Sequence, residues 1–445
     1  MPELFGTDGL RGKAGHFPLD EKSVFILGRA LYELFQEKKL PPVVITGRDT
    51  RESGKWLEEA FQGGFTSAGG QAVSAGIIPT PGISYLVRND GFSAGVVISA
   101  SHNPYEDNGI KIFSAQGTKI PEDWEEWLEK KILAAKEKTL SVKPNPVAVD
   151  ERLRLKYLEF LRQLFPYAGS RKLKIVLDCA HGASSELAPA LFRYLGFEVL
   201  SINCQPDGRN INKGCGSLYP ETLQKAVVEE RADLGIAYDG DADRAIWVDE
   251  KGNLLNGDHT LFVQALHLKE KNRLRNKTVV ATIMSNMGLE LALNRHGINM
   301  LRTKVGDKYV LEEMLKQQLN LGGEQSGHTI FLDHAITGDG LLTSLKMIET
   351  MLEKQQKISE LVTGLQEFPQ VLLNVRVREK IPFSQIPGYD RLVQEVRSEL
   401  GDEGRLEIRY SGTELLARIM VEGRYREKIE NLAGKLAELI KNHLG

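Results

Sequence analysis

Cysteine is scarce here, with three in 445 residues, and the spacings of Cys179, Cys204 and Cys215 suit neither a zinc site nor a disulfide framework. A stapled secreted fold is excluded, and a reducing cytoplasm is the expected compartment. Charge of one sign is also lacking, since 57 basic side chains meet 60 acidic ones for a formal net charge of −3. The balance removes any global attraction to nucleic acid or to an anionic membrane, so an anion site has to be local. No run approaches the ~20 apolar residues that span a bilayer. The opening Met-Pro-Glu-Leu-Phe-Gly-Thr-Asp has neither the basic nor the apolar part of a signal peptide. A Walker loop is missing too: Gly64-Phe-Thr-Ser-Ala-Gly69 continues Gly-Gln, where a lysine followed by Ser or Thr is required.

What is present is ordinary in bulk and specific in detail. Hydrophobic content of 41% and charged content of 26% fit a globular chain, and the length calls for about three or four domains. The pattern predicts an amphipathic helix from Glu21 to Lys39, a strand over Val43-Val-Ile-Thr46 ending in Gly47-Arg-Asp-Thr, and a helix from Trp56 to Ala68. Ile175-Val-Leu-Asp-Cys-Ala180, Leu234-Gly-Ile-Ala-Tyr-Asp239 and Val279-Val-Ala-Thr-Ile283 repeat this order of strand, small polar turn and helix. Such alternation indicates α/β domains with parallel sheets, and its wide intervals indicate duplicated units rather than a solenoid.

Ser141-Val-Lys-Pro-Asn-Pro146 follows a charged helix from Trp124 to Lys138 and reads as a linker. Further boundaries are expected near Asn256-Gly-Asp258 and between Gly364 and Pro369. Beyond them the pattern becomes a strand over Val371 to Val377, a helix from Tyr389 to Leu400, two strands flanking Ser411-Gly-Thr413, and a helix from Tyr425 to Leu444. That tail reads as a small α+β domain. The expected domains are 1–146, 147–256, 257–366 and 367–445.

Chemistry concentrates in four clusters. In Val96-Val-Ile-Ser-Ala-Ser-His-Asn-Pro-Tyr-Glu-Asp-Asn-Gly-Ile-Lys-Ile-Phe113 an apolar strand breaks at Asn103-Pro104, and Asn108-Gly109 carries a hairpin signal. Ser101 and His102 should therefore occupy a bent loop with Lys111 returning nearby, although a plain polar surface loop would look the same in isolation. In the second cluster Asp239, Asp241 and Asp243 alternate after an apolar strand, so an extended segment would aim all three to one side. Carboxylates so placed repel unless a cation holds them, and hard oxygen ligands suit magnesium or calcium; a solvated acidic turn is the bland alternative. An EF-hand fails because Arg244 stands where its glycine is needed. A dehalogenase-type phosphatase with Asp239 as nucleophile lacks its Asp-x-Asp-Gly-Thr. Arg244 beside the triad favours a phosphate ligand, which a phosphorylated Ser101 would supply.

The third cluster, Arg409-Tyr-Ser-Gly-Thr-Glu414, puts a guanidinium, two hydroxyls and flexible amides between two strands, as a phosphate cradle requires. An ordinary hairpin turn is the rival. The fourth, Gly322-Gly-Glu-Gln-Ser-Gly-His328, offers a carboxylate, an amide and a hydroxyl suited to sugar hydroxyls or an amine, and alone it is a weak signal. His328 by itself is more often structural.

In this order and along the whole chain, these clusters resemble the α-D-phosphohexomutase superfamily, most closely its bacterial phosphoglucosamine mutases. The likeness is carried by Phe5-Gly-Thr-Asp-Gly-Leu-Arg11, Ile98-Ser-Ala-Ser-His-Asn-Pro104, Asp107-Asn-Gly-Ile-Lys111, Asp207-Gly-Arg-Asn-Ile-Asn212, Cys215-Gly-Ser217, the Asp239 triad, Arg302-Thr-Lys-Val-Gly-Asp-Lys308, the Glu-Gln-Ser-Gly-His loop and Arg409 to Glu414. Gln325, where related mutases usually carry methionine, points to an amino sugar. Tyr410 and Leu415 depart from the family's phosphate loop and put its detailed conformation in question.

The resemblance implies a heart-shaped enzyme of three related α/β domains and a smaller fourth, with the active site where all four meet. It implies reversible conversion of glucosamine 6-phosphate to glucosamine 1-phosphate, with glucosamine 1,6-bisphosphate as intermediate or activator. Ser101 would carry the phosphoryl group, and one Mg2+ would be held by Asp239, Asp241, Asp243 and Ser101 through its phosphate. His102, Lys111 and Arg244 would serve the chemistry. Thr7, Arg11, Glu324, Ser326, His328, Arg409, Ser411, Gly412 and Thr413 would bind substrate. Members of this family are often dimers, so a homodimer is an expectation carried by the resemblance alone.

Overall fold

The computed structural model describes residues 4–6, 9–136, 142–169, 172–401, 404–411 and 415–445. Thr7, Gly412 and Thr413 lie outside the described residues, as does the end of the charged helix predicted to Lys138. Two compact units are present, Met1–Thr282 with Thr303–Thr363 and Ile283–Arg302 with Gly364–Gly445. Among the described residues no helix is long and apolar enough to cross a membrane.

The first unit begins with a helix that its sequence specifies locally. Asp20 caps Glu21–Lys38 by accepting from the Ser23 backbone N–H, and Lys39 ends it in the left-handed conformation. Val24, Leu27, Leu31 and Leu34 recur at helical spacing and are fully buried, each burial contributing about 1.5–3 kcal/mol. Beneath them runs a six-stranded sheet in the order Phe5–Gly6, Gly9–Lys13, Asp107–Ser114, Ala94–Ile98, Val43–Arg48, Gln71–Ile77. The last three strands are parallel, whereas Asp107–Ser114 and Gly9–Lys13 run antiparallel to their neighbours. The sheet is thus mixed, because the polar loop after Ala94–Ile98 turns straight back without a crossover helix.

Two further sheets of this unit repeat the device. Lys174–Asp178 lies parallel to both Glu198–Ile202 and Leu234–Tyr238, and Ala245–Asp249 returns antiparallel to the latter. Thr278–Thr282 pairs in parallel with Leu321–Gly323, and Thr329–Phe331 returns antiparallel. In all three, the last parallel strand leads through a short polar loop into an antiparallel return. Those loops hold Ser101, the Asp239 triad and Glu324 to His328, and they stand at carboxyl ends of strands, where open α/β sheets bind ligands.

One local reading is corrected. Asn108-Gly109 does not form a hairpin turn but lies inside strand Asp107–Ser114, with Gly109 opposite Arg11. A Cβ at Gly109 would sit 2.6 Å from Ser99 O and 2.9 Å from Leu10 O, so the glycine serves close backbone approach rather than a turn. The reversal falls earlier, between Ser99 and Glu106.

The second unit contains a three-stranded antiparallel sheet, Gln370–Arg376, Leu416–Gly423 and Gly404–Tyr410 in that order. Helix Arg426–Leu444 buries Ile429, Leu432, Leu436 and Ile440, and helix Tyr389–Leu400 adds Val396 and Leu400 to the same core. This is the small α+β domain the tail predicts, and its central hairpin carries Arg409 and Ser411.

Candidate active site

The serine loop begins where a fully buried apolar strand, Ala94–Ile98, meets polar residues that cannot remain in its core. Ser101 itself has φ +50°, a conformation that a non-glycine residue holds only when its surroundings impose it. Arg51, fully buried and paired with Asp49 at 2.9 Å, imposes it. Its Nη2 donates to Ser101 O at 2.9 Å and Asn103 O at 2.8 Å, while Nη1 donates to Asp107 O at 3.1 Å and to Pro104 O. Asn212 Nδ2 also donates to Ser101 O and Asn103 O, at 2.8 and 3.0 Å. Ser99 Oγ donates to Asp49 Oδ2 at 2.6 Å and accepts from the Ser101 N–H at 2.9 Å. One guanidinium therefore knits the loop through its carbonyls. Sequence reading misses Arg51 because its partners lie 50 to 56 residues away along the chain.

The triad meets that serine. Ser101 Oγ donates to Asp239 Oδ2 at 2.6 Å across 138 residues of sequence, and one oxygen from each of Asp239, Asp241 and Asp243 lies within 4.8 Å of the others. The segment is not extended as expected, since Ala242 at φ +55° folds it into a turn. Convergence comes from that turn rather than from strand alternation. Thr80, the first residue of helix Thr80–Asn89, fixes it: its N–H donates to Asp241 O at 3.0 Å and its Oγ1 to Asp241 Oδ2 at 2.6 Å. Lys111 Nζ reaches Asp241 Oδ2 at 3.0 Å and Asp243 Oδ2 at 3.8 Å, as its return beside the loop predicts. Thr80 carries no local signal of this contact.

Electrostatics asks for more positive charge. Burial, then the neighbouring Asp243 and Asp241, holds the Asp239 carboxyl well above the usual carboxylate range, and burial and Asp241 raise Asp243. Asp243 Oδ1 has no hydrogen-bond partner among the described residues. Three buried carboxylates with converging oxygens are the donor set of a hard divalent cation, and they fit one.

Around this centre, His102 Nδ1 lies 3.2 Å from Ser101 Oγ. Burial pushes the imidazole down to about 4, assisted by Arg244 and Arg11, so it is neutral near pH 7. Arg244 donates its backbone N–H to Asp239 Oδ1 at 3.3 Å and its guanidinium stands 3.9 Å from Asp243. An isolated bridge joins Arg244 to His328, which accepts at Nε2 from the Gly338 N–H at 3.1 Å. Glu324 is buried, and its Oε1 accepts from the Gly306 N–H at 3.1 Å. Ser326 is exposed on the same loop. Arg11 Nη1 donates to Ala100 O at 3.1 Å, one residue before Ser101. The structure thus gathers Ser101, His102, Lys111, Asp239, Asp241, Asp243 and Arg244, with Arg11 and the loop of Glu324 to His328 in contact with members of the group.

In the second unit, Arg409 stands opposite Arg418 across the central hairpin. Arg418 Nη2 approaches Ser411 Oγ at 3.4 Å, and burial together with Arg418 lowers Arg409 below the ordinary guanidinium range. Two adjacent guanidiniums beside a hydroxyl could hold an anion; Arg418 is the member that sequence reading missed. Tyr410, the departure from the family pattern, stacks on Phe383 with ring centroids 4.2 Å apart and donates to Ile381 O at 2.7 Å. Its side chain packs the domain, leaving Arg409 and Ser411 in place.

Family models for the phosphoglucomutase/phosphomannomutase α/β/α domains I, II and III match residues 2–139, 155–252 and 256–368, and that for the C-terminal domain matches 372–439. A curated phosphoglucosamine mutase of Solibacter usitatus is 46% identical, covering 100% of this chain and 99% of its own. A phosphoglucomutase/phosphomannomutase family protein of Burkholderia thailandensis has a similar fold, with TM-score 0.81, 23% identity and coverage of 99% and 98%. N-acetylphosphoglucosamine mutase of Aspergillus fumigatus, solved with GlcNAc-6P and magnesium, matches at TM-score 0.69 and 19% identity over 99% of this chain and 96% of that one. The chain belongs to the phosphoglucomutase/phosphomannomutase family, among its phosphoglucosamine mutases.

Proposed function

We propose that the chain interconverts glucosamine 6-phosphate and glucosamine 1-phosphate by way of a phosphorylated Ser101 and glucosamine 1,6-bisphosphate. The observation that carries this is the Ser101 hydroxyl held 2.6 Å from Asp239 within a buried carboxylate triad. A serine so placed, flanked by Lys111 and Arg244, suits a transferable phosphoryl group. The full-length relatives named phosphoglucosamine mutase support the choice of sugar.

The roles follow from chemistry. Arg51 and Asn212 hold the serine carbonyl so that Oγ keeps one direction through both half-reactions. Lys111 and Arg244 spread positive charge over phosphoryl oxygens that gain charge during transfer. Neutral His102 is within reach of Oγ and of a sugar hydroxyl bound beside it, so it can accept or return that proton. Asp239, Asp241 and Asp243 would hold Mg2+, which would supply positive charge to the phosphoryl group and the triad alike. Glu324 and Ser326 read the sugar, with the Glu324 carboxylate suited to an ammonium, and His328 and Gly338 set the shape of that loop. Arg409 and Ser411, with Arg418 and the neighbouring Gly412 and Thr413, bind the phosphate that is not reacting, and Thr7 and Arg11 complete the substrate set. The bisphosphate must present each phosphate to Ser101 in turn, so this second anion site accepts either one.

Turnover on glucosamine, glucose and mannose 6-phosphates tests the assignment. A preference for glucosamine of at least roughly tenfold in kcat/KM is expected, since the neutral sugars offer no ammonium to the buried Glu324 carboxylate. A preference for either neutral sugar would replace this reading with phosphoglucomutase or phosphomannomutase activity on the same site.

A further inference from the structure

Two of the three cysteines meet behind the serine loop. Cys179 follows strand Lys174–Asp178, and Cys204 follows its parallel neighbour Glu198–Ile202, with Asp178 registered against Ile202. Asn203, at φ +51°, ends the second strand and turns the chain toward the first. The Cys179 N–H and the Cys204 thiol both donate to Ile202 O, at 3.4 and 3.1 Å, so one carbonyl gathers the two cysteines. Their exposure differs. Cys179 is fully buried, whereas Cys204 is half-buried and lines an open cleft of about 520 Å3 with His181 and Arg193. The neighbouring Cys179 side chain lowers the Cys204 thiol, while burial raises Cys179 well above its ordinary value and pushes Cys215 up to about 12. One cysteine is thus reachable from the cleft, and the other lies buried at the end of the adjacent strand.

The turn that starts at Cys179 has no slack. Ala180 and His181 both adopt positive φ, at +52° and +49°. Ala180 O accepts from the N–H of Asn212, whose side chain holds Ser101 O and Asn103 O. His181 O accepts from Thr50 Oγ1, and the Ala183 N–H donates to Gly240 O at 2.8 Å, between two members of the triad. A Cβ at Gly182 would lie 2.4 Å from that same oxygen, so this backbone rests on the carboxylate loop.

We propose that Cys204 and Cys179 form a reversible oxidation site, in which a hydroperoxide entering the cleft reacts at Cys204 and the pair closes to a disulfide that switches the serine loop off. The Cys204 thiolate attacks the outer oxygen of the hydroperoxide, forming an S–O bond and breaking the O–O bond, and the alcohol or water leaves with the proton. Cys179 sulfur then attacks Cys204 sulfur; the S–S bond forms, the S–O bond breaks, and water carries away the Cys179 proton. The hydroperoxide is reduced by two electrons and the dithiol oxidised by two. Drawing the Cys179 sulfur to bonding distance pulls on a turn that backs both Ser101 and the triad.

The test treats the full-length protein with hydrogen peroxide, then reads intact mass, disulfide-linked peptides and turnover. Expected are a loss of two hydrogens, a Cys179–Cys204 linkage, a fall in turnover of at least roughly tenfold, and full recovery with dithiothreitol. Cys204→Ser should keep basal turnover and lose the sensitivity, and Cys215→Ser should remain sensitive. Absence of the Cys179–Cys204 linkage in the wild-type protein, oxidation of Cys204 that stops at a sulfinic acid, a linkage that leaves turnover unchanged, or equal inactivation of Cys204→Ser would each overturn the proposal. Peptide mapping needs no substrate, so a wrong sugar assignment and a wrong oxidation site give separate results.

Discussion

The serine loop and the hairpin of Arg409 and Ser411 are both connections between antiparallel strands, yet they are secured in opposite ways. Ser101 is held in a left-handed conformation by side chains from three other segments, through Arg51, Asn212 and Asp239. Arg409 and Ser411 are placed by the register of their own hairpin, with Arg409 opposite Arg418 and the Ser411 N–H donating to Leu416 O at 2.8 Å. The difference matches the two tasks proposed for these loops. A group that forms and breaks a covalent bond has to keep one direction to within a fraction of an ångström, whereas an anion grip that accepts either end of a bisphosphate needs charge more than fixed aim.

The contrast can be broken in a graded series. Ser101→Ala should cost the most, lowering turnover by roughly 10⁴-fold or more with little change in melting temperature, because the nucleophile is gone while the fold is intact; steady-state kinetics and calorimetry together check this. Asp241→Asn, or removal of divalent cations with a chelator, should lower turnover by about 10²–10³-fold, and Mg2+ should restore the chelated protein but not the variant. Arg51→Ala leaves Asp49 charged and buried without its partner. It should destabilise the protein by about 3–5 kcal/mol in urea unfolding, a loss that no phosphate-grip variant shares.

Arg409→Ala should act through binding, raising KM by about 10–100-fold, equivalent to the 1.5–3 kcal/mol of a charged hydrogen bond, with unfolding unchanged within about 0.5 kcal/mol. A fall in stability matching that of Arg51→Ala would erase the distinction between the two loops. Tyr410→Phe sharpens the distinction from the other side. It removes the bond to Ile381 O while keeping the stack on Phe383, so about 1 kcal/mol of stability should go and KM should stay.

Much of this was legible in the residues themselves. Apolar strands ending in polar turns mark Val43–Arg48, Lys174–Asp178, Leu234–Tyr238 and Thr278–Thr282, because parallel strands buried on both faces read as continuous apolar runs. Ser101, Lys111 and the three aspartates were also visible, as residue types suited to a phosphate and a cation, and the structure brings them together. What stayed hidden is long-range or torsional. Arg51 and Thr80 act on partners far along the chain. Asn108-Gly109 has the local signature of a turn, but pairing with Gly9–Lys13 draws it into a strand. Ala242 folds the triad with a positive φ that alanine rarely adopts, so alternation suggested an extended segment.

The central claim is that one serine carries the phosphoryl group against the carboxylate triad. Its most direct test is to incubate the protein with glucosamine 1,6-bisphosphate and Mg2+ and locate the added phosphate by peptide mass mapping. One phosphate on Ser101 is expected, transferred to glucosamine 6-phosphate on addition and absent, together with activity, in Ser101→Ala. Phosphate on another residue, or full activity in Ser101→Ala, would contradict it.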